Sequence, residues 1–436
     1  MKRNQLIFIV VIFSFSCLEG CLPAADSPNT FNPAPESARV DLATPTFSDS
    51  TNITNPLFPV SLLPKTILLG RVDGQPLHVE YSLLPGTRTI DWSGQHVETV
   101  VVQYVAHLNG RIEEVALDWY AQADDGSVWY FGEDVSNYQD GIVADHEGTW
   151  LAGKDGPAAM IMPADPQVGD VYRVENIPGI VFEEITVQAT GVTIDGPNGP
   201  IQGAMIGEQL HMDGSYSNKT FAPGYGEFVT VNGSELEALA LAVPTDALSA
   251  PAPSELDTLS SGAFIIFDRA KSKDWKTASA NLTEILKAWD THQEGNVPFM
   301  LDAQMSDAVA ALIGAVNARQ PAEARQAALD VAQANLDLQL QYRPPVEIDV
   351  AHFNLLTRQV LIDVEADEVA WVKSDVTTLE LIRDRFVHAL DTTIVADLNA
   401  LLDDLRTAVE NEDLEASARI AQKLFELSAR LEPAIK

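Results

Sequence analysis

DWYAQADDGSVWYFGEDVSNYQDG, residues 118–141, sets two Trp-Tyr pairs, Trp119-Tyr120 and Trp129-Tyr130, on either side of a polar turn. Asp124-Asp125-Gly126 supplies the positive-φ position that a tight hairpin needs. Aromatic and β-branched residues flank that turn, so the stretch predicts two paired strands. Just upstream, His96–Leu108 and Arg111–Ala121 are separated by Asn109-Gly110, the strongest short-range hairpin signal. Together these runs predict a three-stranded antiparallel meander ending near Glu133. Alternation places Val115, Leu117, Trp119 and Ala121 on one face of the middle strand, and Glu114, Asp118 and Tyr120 on the other. Further strands are expected near 171–176, 181–194, 201–212 and 225–231, with a loop over 154–165. Residues 55–241 therefore predict an antiparallel β domain, a sheet or partly open barrel.

Beyond it the pattern changes. Residues 242–262 are rich in Pro, Ala and Ser and read as a linker. From 263 to 436 the apolar spacing is helical: Trp275, Leu282, Ile285 and Trp289 share a face, as do Leu301, Met305, Val309, Leu312 and Val316. Ile394, Leu398, Leu402, Leu405 and Val409 repeat the second set displaced by 93 residues, and Val372, Leu379, Ile382 and Phe386 repeat the first displaced by 97. Three helices matching in order predict a duplication, about 271–341 and 367–433, within a bundle of six or seven helices. Residues 346–391 contain no Gly or Pro and are expected to form one long or kinked helix. The fold class expected is thus α+β, a β domain followed by an all-α bundle.

The start of the chain carries an address. Met1-Lys2-Arg3 precedes an apolar run from Leu6 to Phe15, too short to span a bilayer and shaped like a secretory signal over residues 1–20. It ends in Leu18-Glu19-Gly20-Cys21, which resembles the bacterial lipobox, whose Cys becomes the lipidated first residue of the mature chain. Glu19 is an unusual occupant of that box, and an ordinary signal peptide cut nearby is the alternative. Cys17, after Ser14-Phe15-Ser16, fits less well. With only two cysteines, both near the start, the body is expected to fold without a disulfide. Residues 21–54, rich in Pro, Ser, Thr, Asn and Asp, read as a flexible tether. No later run of about 18 consecutive apolar residues appears, so the membrane contact expected is the lipid alone. A formal charge of −36, from 63 acidic and 27 basic residues, disfavours nucleic acid and direct adhesion to anionic headgroups as partners.

Five strings within the β region carry a resemblance. NPLFP at 55–59, DWYAQ with GSVWYFGED across 118–134, HEGTW at 146–150, IMPADPQVGDVYR at 161–173 and FAPGYG at 221–226 are similar, in this order, to a group of uncharacterised secreted bacterial proteins. The likeness weakens after Pro59 and near 188–204, where Gly- and Pro-rich sequence replaces a strand of the VPAGTF type. What it implies is an exported β domain, with no catalytic residue to carry over.

Three kinds of chemistry were weighed from the residues. Asp118, Glu133, Asp134 and Asp145, with His146 and Glu147, contain enough carboxylates for a glycosidase-type pair, although turn and strand-surface positions account for most of them. A metal-binding bundle needs paired Glu-x-x-His motifs. The chain offers Asp349-x-x-His352 once, with His292 and His388 isolated. No GxSxG, P-loop, Rossmann glycine fingerprint or HExxH occurs. No catalytic residue, metal or cofactor is therefore assigned. Aromatic residues suit apolar or sugar-like ligands, and Tyr120 and Tyr130, read as the outward members of their pairs, are the ligand-binding candidates.

The function these readings favour is non-catalytic binding or scaffolding by a lipid-anchored protein of the cell envelope, on the cell or outer membrane. Its partner would be an envelope protein or a small apolar or sugar-like ligand. The alternatives are a hydrolase of an envelope or extracellular polymer and a metal-binding bundle.

Overall fold

Three of the first turns show why the chain folds as a meander. Asp73-Gly74, Ser93-Gly94 and Asn109-Gly110 each place both residues at positive φ, between 49° and 77°. That is the type I′ geometry whose twist matches paired strands. They join β1 (Lys65–Val72), β2 (Gln75–Trp92), β3 (Gln95–Leu108) and β4 (Arg111–Gln122), and the Asp-Asp-Gly turn leads on to β5 (Val128–Gln139). Three short strands follow: β6 (Ile142–Asp145), β7 (Trp150–Leu151) and β8 (Ala159–Met162). A second meander comprises β9 (Val171–Ile177), β10 (Val181–Gly196), β11 (Gly199–His211), β12 (Tyr216–Ala222), β13 (Gly226–Asn232) and β14 (Glu235–Val243). This is a computed structural model, and it describes residues 31–431 except 234.

The fourteen strands form one antiparallel sheet in the order β6-β5-β4-β3-β2-β1-β14-β13-β12-β11-β10-β9, with β7 and β8 also paired to β5. The first and last strands thus meet in mid-sheet. The close approach there needs Gly70, where a Cβ would lie 1.8 Å from the Leu236 carbonyl oxygen. Gly132 is needed in the same way, since its φ is +122° and a Cβ would lie 2.2 Å from the Trp150 carbonyl oxygen. The apolar core of this unit gathers Trp92, Trp119, Trp129, Phe131, Trp150 and Phe221.

Helices follow: α1 (Ser254–Lys271), α2 (Trp275–Gln293), α3 (Phe299–Ala318), α4 (Pro321–Gln339), α5 (Pro345–Glu365), α6 (Val369–Phe386), α7 (Thr392–Glu410) and α8 (Leu414–Ser428). The described chain divides into two compact units, one reaching to Gln139 and resuming over Val143–Leu239, the other comprising Asp140–Ile142 and the chain from Ala240 onward. The fold class is α+β, a sheet unit and then a helical one.

In the helical unit, α1 packs on α2 and α4, and α3 on α4; α5 packs on α6 and α8, and α7 on α8. Corresponding helices start at 254 and 345, 275 and 369, 299 and 392, 321 and 414. Even the left-handed turn residues recur, Lys273 with Asp367 and Arg319 with Glu412. The repeat is therefore four helices long, one more than the three matched in the sequence. The extra helix of the first copy, α1, lies partly in the stretch expected to be a linker. That of the second is α5, and 346–391 holds two α-helices, α5 and α6, and a 3-10 turn over Val387–Ala389 rather than one long or kinked helix. Residues 366–368 break α5 from α6 without Gly or Pro, the left-handed Asp367 (φ 61°) making the turn. Among the described residues α3 alone has the length and apolar composition of a membrane span; its Leu301, Met305, Leu312 and Val316 are buried.

Two other expectations need correction. The described part of the supposed tether, 31–54, lies against the sheet. Val40 N–H donates to the Val171 carbonyl (2.9 Å), Asp41 accepts from Arg173 N–H (3.0 Å), and Gln122 Oε1 accepts from both Thr54 and Asn55 N–H (2.8 Å each). Polar side chains that looked like solvated linker are hydrogen-bonding groups for exposed backbone. The loop expected over 154–165 contains β8, whose Met160 and Met162 are buried.

Candidate functional site

The sheet unit holds a half-open cavity of about 180 Å³, lined from both meanders. Strand alternation builds its floor. Glu114, Ala116, Asp118 and Tyr120 line it from alternate positions of β4. Register sets Tyr104 beside Ala116, Tyr81 beside Tyr104, Tyr130 beside Tyr120 and Glu133 beside Asp118. Tyr120 and Tyr130 stack with centroids 4.7 Å apart and planes 21° apart, and Phe58 meets Tyr120 edge-on at 5.2 Å.

Tyr120 and Tyr130 therefore line the cavity, but they do not face solvent, as the sequence had suggested. Both are at most 8% exposed. Alternation separates the two faces of a strand, and here both faces are buried. Trp119 packs in the apolar core beneath the Arg88 guanidinium, 3.8 Å from its ring, while its neighbour Tyr120 faces the cavity.

The walls are unusually acidic. Seven carboxyls line the cavity, Glu114, Asp118, Glu133, Glu175, Glu183, Glu227 and Glu237, against one lysine, Lys219. Two carboxyls have cationic or imidazole partners: Lys219 Nζ sits 3.2 Å from the Glu227 carboxylate, and His211 Nδ1 lies 3.1 Å from Glu183. Burial lowers the Lys219 ammonium, but Glu227, Glu183 and Glu237 outweigh it and the net shift is upward. The other carboxyls are held mainly by neutral groups or by one another. Tyr130 OH donates to Asp118 Oδ1 at 2.8 Å, and Trp150 Nε1 donates to Glu175 Oε1 at 3.4 Å. Glu133 and Glu175 are close enough for the acidity of each to depend on the other.

Burial dominates their acidity. It pushes Asp118 up to about 7, with the Tyr130 and Tyr120 hydroxyls pulling back. Glu175 rises to about 8 through burial and Glu183, and Glu237 to about 8 through burial and Glu227. Glu133 rises through burial, then Glu175 and Asp118; Glu114 rises through burial, then Asp118 and Glu237. Raised carboxyls gathered in one cavity mark a functional-site candidate.

Of the carboxylates picked out in the sequence, the fold brings together Asp118 and Glu133. The remainder do other work. Asp134 is exposed. Asp145 Oδ1 accepts from Asn137 Nδ2 (2.7 Å) and Glu147 N–H (3.0 Å), and His146 Nδ1 lies 2.6 Å from the Val135 carbonyl. They shape the turn after β5. Glu175, Glu183, Lys219, Glu227 and Glu237 were missed because each looks like an ordinary strand-surface charge. The available signal was Glu114 and Asp118 sharing a strand face with Tyr120.

In the helical unit, Asp349 lies 3.5 Å from the Arg385 guanidinium. Among the described residues no three His, Cys, Asp or Glu side chains are grouped as a metal would require. Cys21 lies outside the described residues. No family model and no curated protein matches the chain.

Proposed function

We propose that this is a lipid-anchored, extracytoplasmic protein of the cell envelope whose β unit binds a small ligand in this cavity without transforming it. The observation that carries the reading is the cavity itself, aromatic on its floor and polar at its walls, which is the make-up of a ligand site. Its inner space of about 180 Å³ suits a small molecule of roughly benzene's size or slightly larger. The Leu18-Glu19-Gly20-Cys21 string and the acidic composition support export and lipidation at Cys21. The five motif strings support a place among secreted bacterial β-domain proteins. The helical duplication supports a scaffolding role for the second unit, with an envelope protein as its partner.

Two measurements test this. Native mass spectrometry of protein purified from its own host should show a co-purifying small molecule, and Ala116→Phe, which fills the cavity, should abolish it. An adduct-free spectrum, or an adduct that survives the filled cavity, would refute the binding reading. Cys21→Ser should move the protein out of the membrane fraction, and unchanged membrane association would refute lipidation.

A hydrolase is the second reading, favoured by the Glu133–Glu175 pair. Two buried carboxyls whose acidities depend on one another resemble a proton-sharing acid dyad. Under this reading Glu175→Gln abolishes turnover of a small ester or amide; unchanged turnover in that variant would exclude the dyad.

A further inference from the structure

Resting on the binding reading above, the geometry points to the ligand's class: we propose that the cavity takes a small organic cation, an ammonium group held by Glu114 and the Asp118–Glu133 carboxyls with its apolar part against Tyr81, Tyr104 and Tyr120.

Three observations carry this. The first is an excess of acidic over basic groups around one cavity. After Lys219 is set against Glu227 and His211 against Glu183, five of the seven lining carboxyls lack a cationic partner within ion-pair distance among the described residues. An unpaired buried carboxylate is costly, and the group able to relieve several at once is a cation. The second is Glu114, only 4% exposed, whose Oε2 has no hydrogen-bond partner. An acceptor left open on a cavity wall is a place for a donor from outside the chain. The third is the aromatic floor. Tyr81 and Tyr104 meet at 5.1 Å, and Tyr120 and Tyr130 stack beside them. Tyrosine faces attract ammonium groups and shelter the carbon attached to them.

Size and donor set narrow the class further. A cavity of about 180 Å³ takes a body of roughly benzene's size or slightly larger. A bare metal ion would leave that floor without a purpose, and no three ligating side chains are grouped for it among the described residues. A neutral sugar would bring hydroxyls for the carboxyls but no charge to offset them.

The test uses the full-length protein in mildly alkaline buffer, where the carboxyls ionise. Benzylamine, choline and putrescine are titrated calorimetrically against the neutral isosteres benzyl alcohol and dimethylbutanol, with glucose and calcium chloride as separate arms. At least one ammonium compound should bind at least tenfold more tightly than its neutral isostere. Glu114→Gln and Asp118→Asn, both isosteric and both relieving buried charge, should each weaken that binding about tenfold while circular dichroism stays unchanged. Binding of a neutral isostere or glucose as tight as any ammonium compound would overturn the cation assignment and leave the binding reading standing, as would binding of calcium alone. If no probe binds while a neutral molecule co-purifies in the mass spectrum, the assignment also fails. If nothing binds and nothing co-purifies, both fail together.

Discussion

Asp118→Asn isolates the cost of the acidic cavity. Asp118 is 5% exposed, and burial moves its carboxyl from 3.8 to about 7 against the pull of two tyrosine hydroxyls. The unfolded chain gives up this proton near 3.8, whereas the folded chain keeps it to about 7. Protons are then bound more by the native state across that window, so stability falls as pH rises. The contribution is fully present below about pH 4 and lost as pH passes through about 7. Three units at about 1.4 kcal/mol each give a loss of about 4 kcal/mol. Asn keeps an oxygen to accept the Tyr130 hydroxyl and removes the titration. The variant should match the wild type near about pH 4 and exceed it by up to about 4 kcal/mol above about pH 7. Glu133, Glu175 and Glu114 titrate in the same cavity, so part of the gain appears as a lowering of their own pKa values. The assay is urea unfolding across this range, followed by near-ultraviolet circular dichroism. The buried Trp92, Trp119, Trp129 and Trp150 report on the β unit there. A wild type that grows more stable from acid to neutral pH, or a variant whose advantage does not change with pH, would refute the reasoning.

Other perturbations probe the frame around the site. Lys65 and Glu80 form a buried pair at 2.8 Å, each side chain at most 3% exposed. Lys65→Met should cost about 3–5 kcal/mol by stranding the carboxylate, and adding Glu80→Leu should recover most of it in a double-mutant denaturation cycle. Phe353→Ala removes a fully buried ring that meets Phe386 at 5.6 Å and should cost about 3–5 kcal/mol, read as a lower Tm of the helical unit's transition. Gly132→Ala places a methyl against the Trp150 carbonyl at a φ of +122°, and should lower the yield of soluble protein and the Tm. A soluble, equally stable variant would mean that β5 and β7 do not approach as described.

The loss of stability expected from acid to neutral pH would have a counterpart in the proposed cation binding. Protons given up as a cation arrives would exchange one positive charge for another and limit the cost of leaving carboxylates bare. The neutral donors that hold Asp118 and Glu175, a phenol and an indole, fix the carboxyls in place without neutralising them.

Local chemistry determined much of this fold. Asn109-Gly110 can hardly be other than a tight turn between β-rich runs, because only such residues accept two successive left-handed positions. The same holds for Asp73-Gly74 and Ser93-Gly94. Helical spacing from Trp275 onward fixed the second unit and revealed that it repeats, since an apolar stripe is a property of consecutive residues. Tyr120, Tyr130, Asp118 and Glu133 could be picked out as neighbours across one hairpin for the same reason.

What the chain could not disclose is which face of each strand would be enclosed. Period-two alternation separates two faces but does not name the one that meets solvent. Here both are buried. The fold brings Glu175 and Glu183 to the cavity of Asp118 and Glu133, and Lys219, Glu227 and Glu237 to that of Glu114, from positions far along the chain. Each of those residues alone has the look of a solvated strand charge. Their raised pKa values follow from shared burial, and burial is a property of the assembled sheet, which no residue and its near neighbours encode by themselves.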